Sequence, residues 1–156
     1  MRIHLVAVGT RMPGWVQEGF SEYAGRLPHE CRLVLQQIPM ARRNRGSSTA
    51  QLQREEAERM TAAIPAGTLR VALEVKGSEW STEQLSGQLS RWMLDGRDVA
   101  LLVGGPDGLE PSLSASCEQR WSLSRLTLPH PLVRVMVAEQ VYRAWSLLRG
   151  HPYHRG

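Results

Sequence analysis

A chain of 156 residues with 42% apolar and 22% charged residues has the size and composition of one soluble globular domain, 1–156, with a self-sufficient core. No apolar run approaches the roughly 18 residues that a transmembrane helix requires. The N-terminus, Met1-Arg2, runs straight into a strand pattern with no signal-peptide cleavage region.

The net charge is +4, and 18 of the 19 basic residues are arginine, Lys76 being the lysine. Arginine contacts phosphate in a bidentate manner and stacks on bases, so the bias suits an RNA partner, although a GC-rich genome produces the same bias. Arg42, Arg43 and Arg45 cluster in the polar stretch 42–48, which reads either as a solvated connection or as a phosphate-gripping arm. Cys31 and Cys117 stand far apart without metal-ligand spacing, so reduced thiols and a cytoplasmic location are expected.

In chain order, residues 3–8 form a short apolar strand closed by Gly9. Trp15, Gly19, Phe20, Tyr23 and Leu27 then recur at helical spacing after Pro13. A second strand is expected at 33–38, ended by Pro39, and a polar helix at 49–63 with Leu52, Ala57 and Met60 inward. Residues 69–75 predict a third strand. Ser81 and Gln84 form a capping box for a helix ended by Gly96. The continuous apolar run 99–103 predicts a strand covered on both faces. Pro111 opens a short helix reaching about residue 120, the last strand is expected at 123–128, and the last helix at 132–149 with Gly150 terminating it. This alternation implies an α/β fold, a mainly parallel sheet with helices on both faces.

The last helix is unusually apolar: between Leu132 and Leu148, 12 of 17 residues are Leu, Val, Met, Ala, Tyr or Trp. Its polar side chains, Glu139, Gln140, Arg143 and Ser146, gather on one arc, with Val137, Ala138, Val141, Ala144, Trp145 and Leu148 opposite. Such a wide arc describes either a central core helix or one that also packs on a second subunit. Arg134 falls within the apolar arc, so it must be paired or point into a ligand or interface cavity.

Two strand ends stand out as a ligand site: the glycine turn Gly104-Gly105-Pro106-Asp107-Gly108 after one apolar run, and Pro129-His130-Pro131 before the last helix. Glycine after a buried strand lets a ligand approach the backbone closely. No dinucleotide fingerprint, phosphate loop or nucleophile elbow is present. His151 and His154 lack carboxylate or thiol partners for a metal, so none is expected.

Taken together, Val103-Gly104-Gly105-Pro106-Asp107-Gly108, Thr127-Leu128-Pro129-His130-Pro131, Arg134-Val135 and the tail His151-Pro152-Tyr153-His154-Arg155 resemble the small SPOUT-class RNA methyltransferases, specifically the RlmH-type (YbeA) family. The resemblance runs along the whole chain. It implies a C-terminal trefoil knot, a homodimer, and methylation by S-adenosylmethionine of N3 of pseudouridine 1915, in helix 69 of 23S rRNA, on the assembled ribosome. The cofactor would contact Leu73, Gly104 and Gly105, and the loop Ser124, Arg125, Leu126, Thr127, Leu128 and Pro129. His154, Tyr153 and His130 become candidates for the base that N3 requires. Arg155, Arg143 and Arg134 become candidates for phosphate or a developing oxyanion. One departure is Lys76-Gly77-Ser78, where relatives often show Gly-Lys. A knotted methyltransferase of transfer RNA would share the fold, but the tail and the lack of an appended domain argue against it. A non-catalytic ribosome-associated RNA-binding factor would need no cofactor, and the intact glycine turn argues against that.

Overall fold

Alternating strands and helices build one parallel sheet in the computed structural model, which describes residues 1–155; Gly156, the end of the domain read from the sequence, lies outside the described residues. Strands β1 (Arg2–Val8), β2 (Arg32–Ile38), β3 (Leu69–Glu79), β4 (Val99–Val103) and β5 (Gln119–Ser122) lie in the order β2-β1-β4-β3-β5, every pair parallel. Helices α1 (Gly14–Ala24), α2 (Thr49–Ala63), α3 (Thr82–Asp95), α4 (Pro111–Ser116) and α5 (His130–Leu148) connect and cover them.

Side-chain alternation along the strands divides the core into two layers. Ile3, Leu5 and Ala7 of β1, with Val99, Leu101 and Val103 of β4, face Phe20 of α1, Leu85, Leu89 and Trp92 of α3 and Val137, Ala138, Val141 and Ala144 of α5. The intervening residues Val6, Val8, Ala100 and Leu102 face Met60 of α2 and Leu113 of α4. All five residues of β4 are buried, as its unbroken apolar run requires.

The topology also creates the crevice that matters. Adjacent strands β3 and β4 send their chains to opposite faces, β3 to α3 and β4 to α4. Loops that part in this way leave an opening beyond the carboxyl ends of the strands, where parallel α/β sheets bind ligands.

Several local expectations hold. Ser81 and Gln84 form a reciprocal capping box, and Gly96 ends α3 in the left-handed region at φ 82°. Others do not. The last strand is Gln119–Ser122 rather than 123–128, and α4 stops at Ser116 rather than near residue 120. Trp121 anchors the true strand: it pairs with β3 and stacks on Trp80 at 5.2 Å and 16°. Beyond it, the Ser122 hydroxyl donates to the Ser124 carbonyl, and the Leu126 N–H donates to the Ser124 hydroxyl. These local bonds fold the Leu-Ser alternation into a loop and leave Leu126 73% exposed.

Strand β3 also runs past its expected end. Trp121 pairs with both Leu73 and Ser78, so residues 74–77 bulge out of register. A Cβ on Gly77 would lie 2.7–2.9 Å from Arg120 and Trp121 backbone atoms, so only glycine lets the bulge close against β5.

Helix α5 starts at His130, two residues early, and packs between α1 and α3. Val141 is only 1% exposed and lies in the core of the single chain, so it is not surplus surface for a partner. Ser146, expected on the polar arc, is fully buried. The apolar side chains left outside are Leu132, 42% exposed, and Leu148, 38% exposed, with Trp15 of α1, 51% exposed. Cys31 and Cys117 are free buried thiols pushed up to about 11 by burial, which keeps them protonated and unreactive. Among the described residues no helix is long and apolar enough to cross a membrane.

Candidate active site

A cavity of about 540 Å³ opens at the β3–β4 crevice. Its volume lies in the range of roughly 300–1,000 Å³ that suits a small ligand or cofactor. Leu73 and the bulge 74–76 form one wall, residues 103–109 a second, and Leu123, Ser124, Leu126, Thr127, Leu128, His130 and Val133 the third. Of the nine residues proposed from the family to contact a cofactor, the structure brings seven together; Arg125 and Pro129 do not line the cavity. Arg125 points outward, 3.6 Å from Glu79.

The glycine turn is shaped by sterics. The Gly108 N–H donates to the Gly105 carbonyl at 2.9 Å, and Gly108 takes a positive φ of 80°. A Cβ on Gly104 would stand 2.4 Å from the Gly108 carbonyl carbon and 2.5 Å from the Leu109 nitrogen. At Gly105 the outcome is different: a Cβ would point at the Glu56 carboxylate, 2.9 Å away, and at Val8. Glycine after a buried strand is expected to leave room for a ligand, but a side chain at Gly105 would not enter the ligand space. Instead it would press on Glu56 behind the wall.

Helix α2 and the arginine loop are fastened to this turn. Gln53 donates to the Asp107 carbonyl at 2.7 Å, Arg43 pairs with the Asp107 carboxylate at 2.8 Å, and Glu56 accepts the Ala41 N–H at 3.0 Å. The loop is therefore not a free solvated arm; Arg43 is held, while Arg42 and Arg45 remain exposed.

His130 lines the cavity from the first turn of α5, and its Nδ1 is buried without a hydrogen-bond partner. Burial pushes its imidazole below the ordinary histidine value; the Gly105 backbone and Glu56 oppose the shift, and Arg134 adds to it. A lowered value keeps the ring neutral near pH 7 and able to accept a proton.

Arg134 is 1% exposed and does not line the cavity. It donates to the Gln37 side chain at 2.8 Å and to the Gly9 carbonyl at 2.7 Å, tying α5 to the ends of β1 and β2. The expectation that it is paired or enters a ligand cavity resolves to neutral acceptors, and burial lowers its pKa.

The tail sits elsewhere. Tyr153, His154 and Arg155 form a 3-10 turn, Pro152–Arg155, beyond the C-terminal end of α5. Eighteen of the 19 residues of α5 follow His130 before the tail begins, about 27 Å at the rise of an α-helix. The Tyr153 hydroxyl donates to Glu139 at 3.0 Å, Glu139 pairs with Arg143 at 2.6 Å, and the Tyr142 and Tyr153 rings meet at 4.6 Å. The Arg26 and Arg143 guanidinium groups lie 5.9 and 5.1 Å from the Tyr153 ring centre. Burial first, then the Glu139 bond and charge, push the Tyr153 phenol up to about 12. It stays protonated at neutral pH and anchors the tail, so it does not serve as the base. His154 Nδ1 is buried without a partner. Within one chain, then, the structure does not bring the tail candidates to the cavity.

Glu56 and the bulge carry no motif in the sequence, while Lys76, noted there only as part of a departure from the family pattern, lines the cavity. A buried glutamate in a helix rich in Gln, Glu and Arg carries no sequence signal. Among the described residues no group of three or more His, Cys, Asp or Glu could hold a metal ion.

Residues 1–154 match the family model described as a predicted SPOUT methyltransferase. The chain is 57% identical over 155 residues to the ribosomal RNA large subunit methyltransferase H of Hydrogenovibrio crunogenus, covering 99% of both chains. It is equally similar, 57% over 155 residues, to the protein of the same name from Pseudomonas entomophila, covering 99% of this chain and 100% of that one. In structure it resembles a methylase family protein from Neisseria gonorrhoeae, with TM-score 0.51 and 16% identity over 90% of this chain and 80% of that one. A methylase family protein from Haemophilus influenzae matches with TM-score 0.54 and 11% identity over 97% of this chain and 69% of that one. These two likenesses concern the fold alone.

Proposed function

The chain belongs to the SPOUT methyltransferase family, and we propose that it is an S-adenosylmethionine-dependent methyltransferase of large-subunit ribosomal RNA, acting in the cytoplasm. The observation that carries this reading is the cavity at the β3–β4 crevice, walled by the glycine turn and the 123–128 loop. Its fit to the cofactor rests on size, on a turn that closes only with glycine at position 104, and on the unpartnered His130 Nδ1 in the residue that lines its third wall. Leu73, Gly104, Gly105, Ser124, Leu126, Thr127 and Leu128 would hold it. When bound, it supplies an activated methyl group, so the protein's main task is to orient the acceptor. The family's trefoil knot belongs to the same proposal.

The finer target is N3 of pseudouridine 1915, whose ring proton needs a base. A neutral His130 stands at the cavity, and His154 with Arg155 and Arg143 stands at the other end of α5. We infer a homodimer in which the tail of one copy completes the cavity of the other, because no tail residue reaches the cavity of its own chain. The exposed Leu132 and Trp15 supply apolar surface for the contact. Replacing both by glutamate should yield a folded monomer by sedimentation, without methyl transfer. A dimer that persists would contradict this interface.

The exposed Arg42 and Arg45 fit rRNA phosphates on the same edge of the sheet. Changing both to alanine should weaken ribosome binding and lower its salt slope by about one for each phosphate no longer neutralised. The single-turnover rate should hardly change. An unchanged salt slope would remove these residues from the RNA surface.

Calorimetry with S-adenosylmethionine, followed by labelled methyl transfer to ribosomes lacking the modification, tests the whole reading. Absence of a heat of binding would instead favour a non-catalytic ribosome-associated factor.

A further inference from the structure

Glu56 is a carboxylate 3% exposed on the face of α2 that packs beneath the glycine turn. It accepts one hydrogen bond, from the Ala41 N–H, and no basic group lies within ion-pair distance of it among the described residues. Burying an anion with so little compensation is costly and rarely retained without a counter-charge. Arg134, the other buried charge around His130, bonds Gln37 and the Gly9 carbonyl rather than Glu56, and its Nε has no partner.

The counter-charge is missing on the cavity side. Gly105 lines the cavity, and a Cβ built on it would lie 2.9 Å from the Glu56 carboxylate and 3.2 Å from Val8, so the carboxylate stands directly behind this part of the wall. Its field is already felt by His130 in the cavity wall. A single charge acting across one residue in a partly screened interior remains substantial.

We propose that Glu56 is a specificity-determining residue that makes the cavity favour a cationic sulfonium ligand over its neutral thioether counterpart. This rests on the reading of the cavity as a methyl-donor site. S-adenosylmethionine carries the sulfonium charge; S-adenosylhomocysteine, left after the methyl moves to the acceptor nitrogen and the nitrogen's proton departs to a base, does not. The carboxylate therefore biases exchange of spent cofactor for fresh. It does not speed the transfer, because the charge it stabilises is lost in that step.

The test measures the dissociation constants of both ligands by calorimetry in wild type, Glu56→Gln and Glu56→Asp. Glutamine can still accept the Ala41 N–H, so Glu56→Gln should bind S-adenosylmethionine about tenfold more weakly and S-adenosylhomocysteine less than about twofold more weakly. Glu56→Asp, which keeps the charge, should keep the wild-type ratio. If Glu56→Gln does not fold, Glu56→Met tests the same loss of charge. Equal weakening of both ligands would mean that Glu56 only supports the wall and would overturn the proposal. A wild-type chain that binds neither ligand would instead sink the methyl-donor reading, and this inference with it.

Discussion

Deletion of residues 153–156 is expected to lower methyl transfer to ribosomes by about 10²- to 10⁴-fold, the range associated with losing a positioned acid–base group. The deletion removes His154 and Arg155 together with the Tyr153 phenol that anchors them to Glu139. Cofactor affinity should hardly change, because none of these residues is among those that line the cavity. Calorimetry and single-turnover kinetics on the same preparation separate the two effects. A truncated protein that transfers methyl at the wild-type rate would reduce the tail to an anchor and leave His130 as the base.

Gly104→Ala should have an effect of similar size on binding. The added Cβ would meet backbone atoms of Gly108 and Leu109 at 2.4–2.6 Å, distances that require the turn to open. Backbone cannot rotate away as a flexible side chain can, so cofactor affinity should fall at least about 100-fold. Stability should fall by about 1–3 kcal/mol, as for overpacking elsewhere. Thermal melting and calorimetry check both. An affinity within tenfold of wild type would show that the turn does not shape the cavity.

Much of the site was legible because local chemistry and tertiary role coincide. Glycines after an unbroken apolar strand mark a chain reversal at its end, and the prolines around His130 mark the start of a helix. The same locality misleads at 123–128, where Leu-Ser alternation imitates a strand. Its serines instead bond to nearby backbone, and Trp121, stacked on Trp80, takes the edge position. The β3 bulge was invisible because its cause, the close pass of Gly77 against the backbone at Trp121, is a long-range contact. Glu56 was invisible for a related reason: its burial depends on where the glycine turn lands, not on its neighbours in α2. Val141 shows a third limit, since an apolar arc cannot reveal how much of itself the chain's own helices cover.

The helix that links the two halves of the site also separates them. His130 opens α5 at the cavity, and the tail lies beyond its far end. The 19-residue helix keeps them about 27 Å apart within one chain. A symmetric partner resolves this, since a twofold axis brings each tail to the other chain's cavity.

Complementation between two inactive chains tests that claim most directly. Gly104→Ala, defective in the cavity, and the 153–156 deletion, defective in the tail, are co-expressed with different tags, and the mixed dimers are isolated. If the site is shared, each mixed dimer holds one cavity and one tail that are both intact, and methyl transfer returns to about half the wild-type rate per dimer. If each chain built its site alone, the mixed dimers would be as inactive as either parent, and the account of a composite site would be wrong.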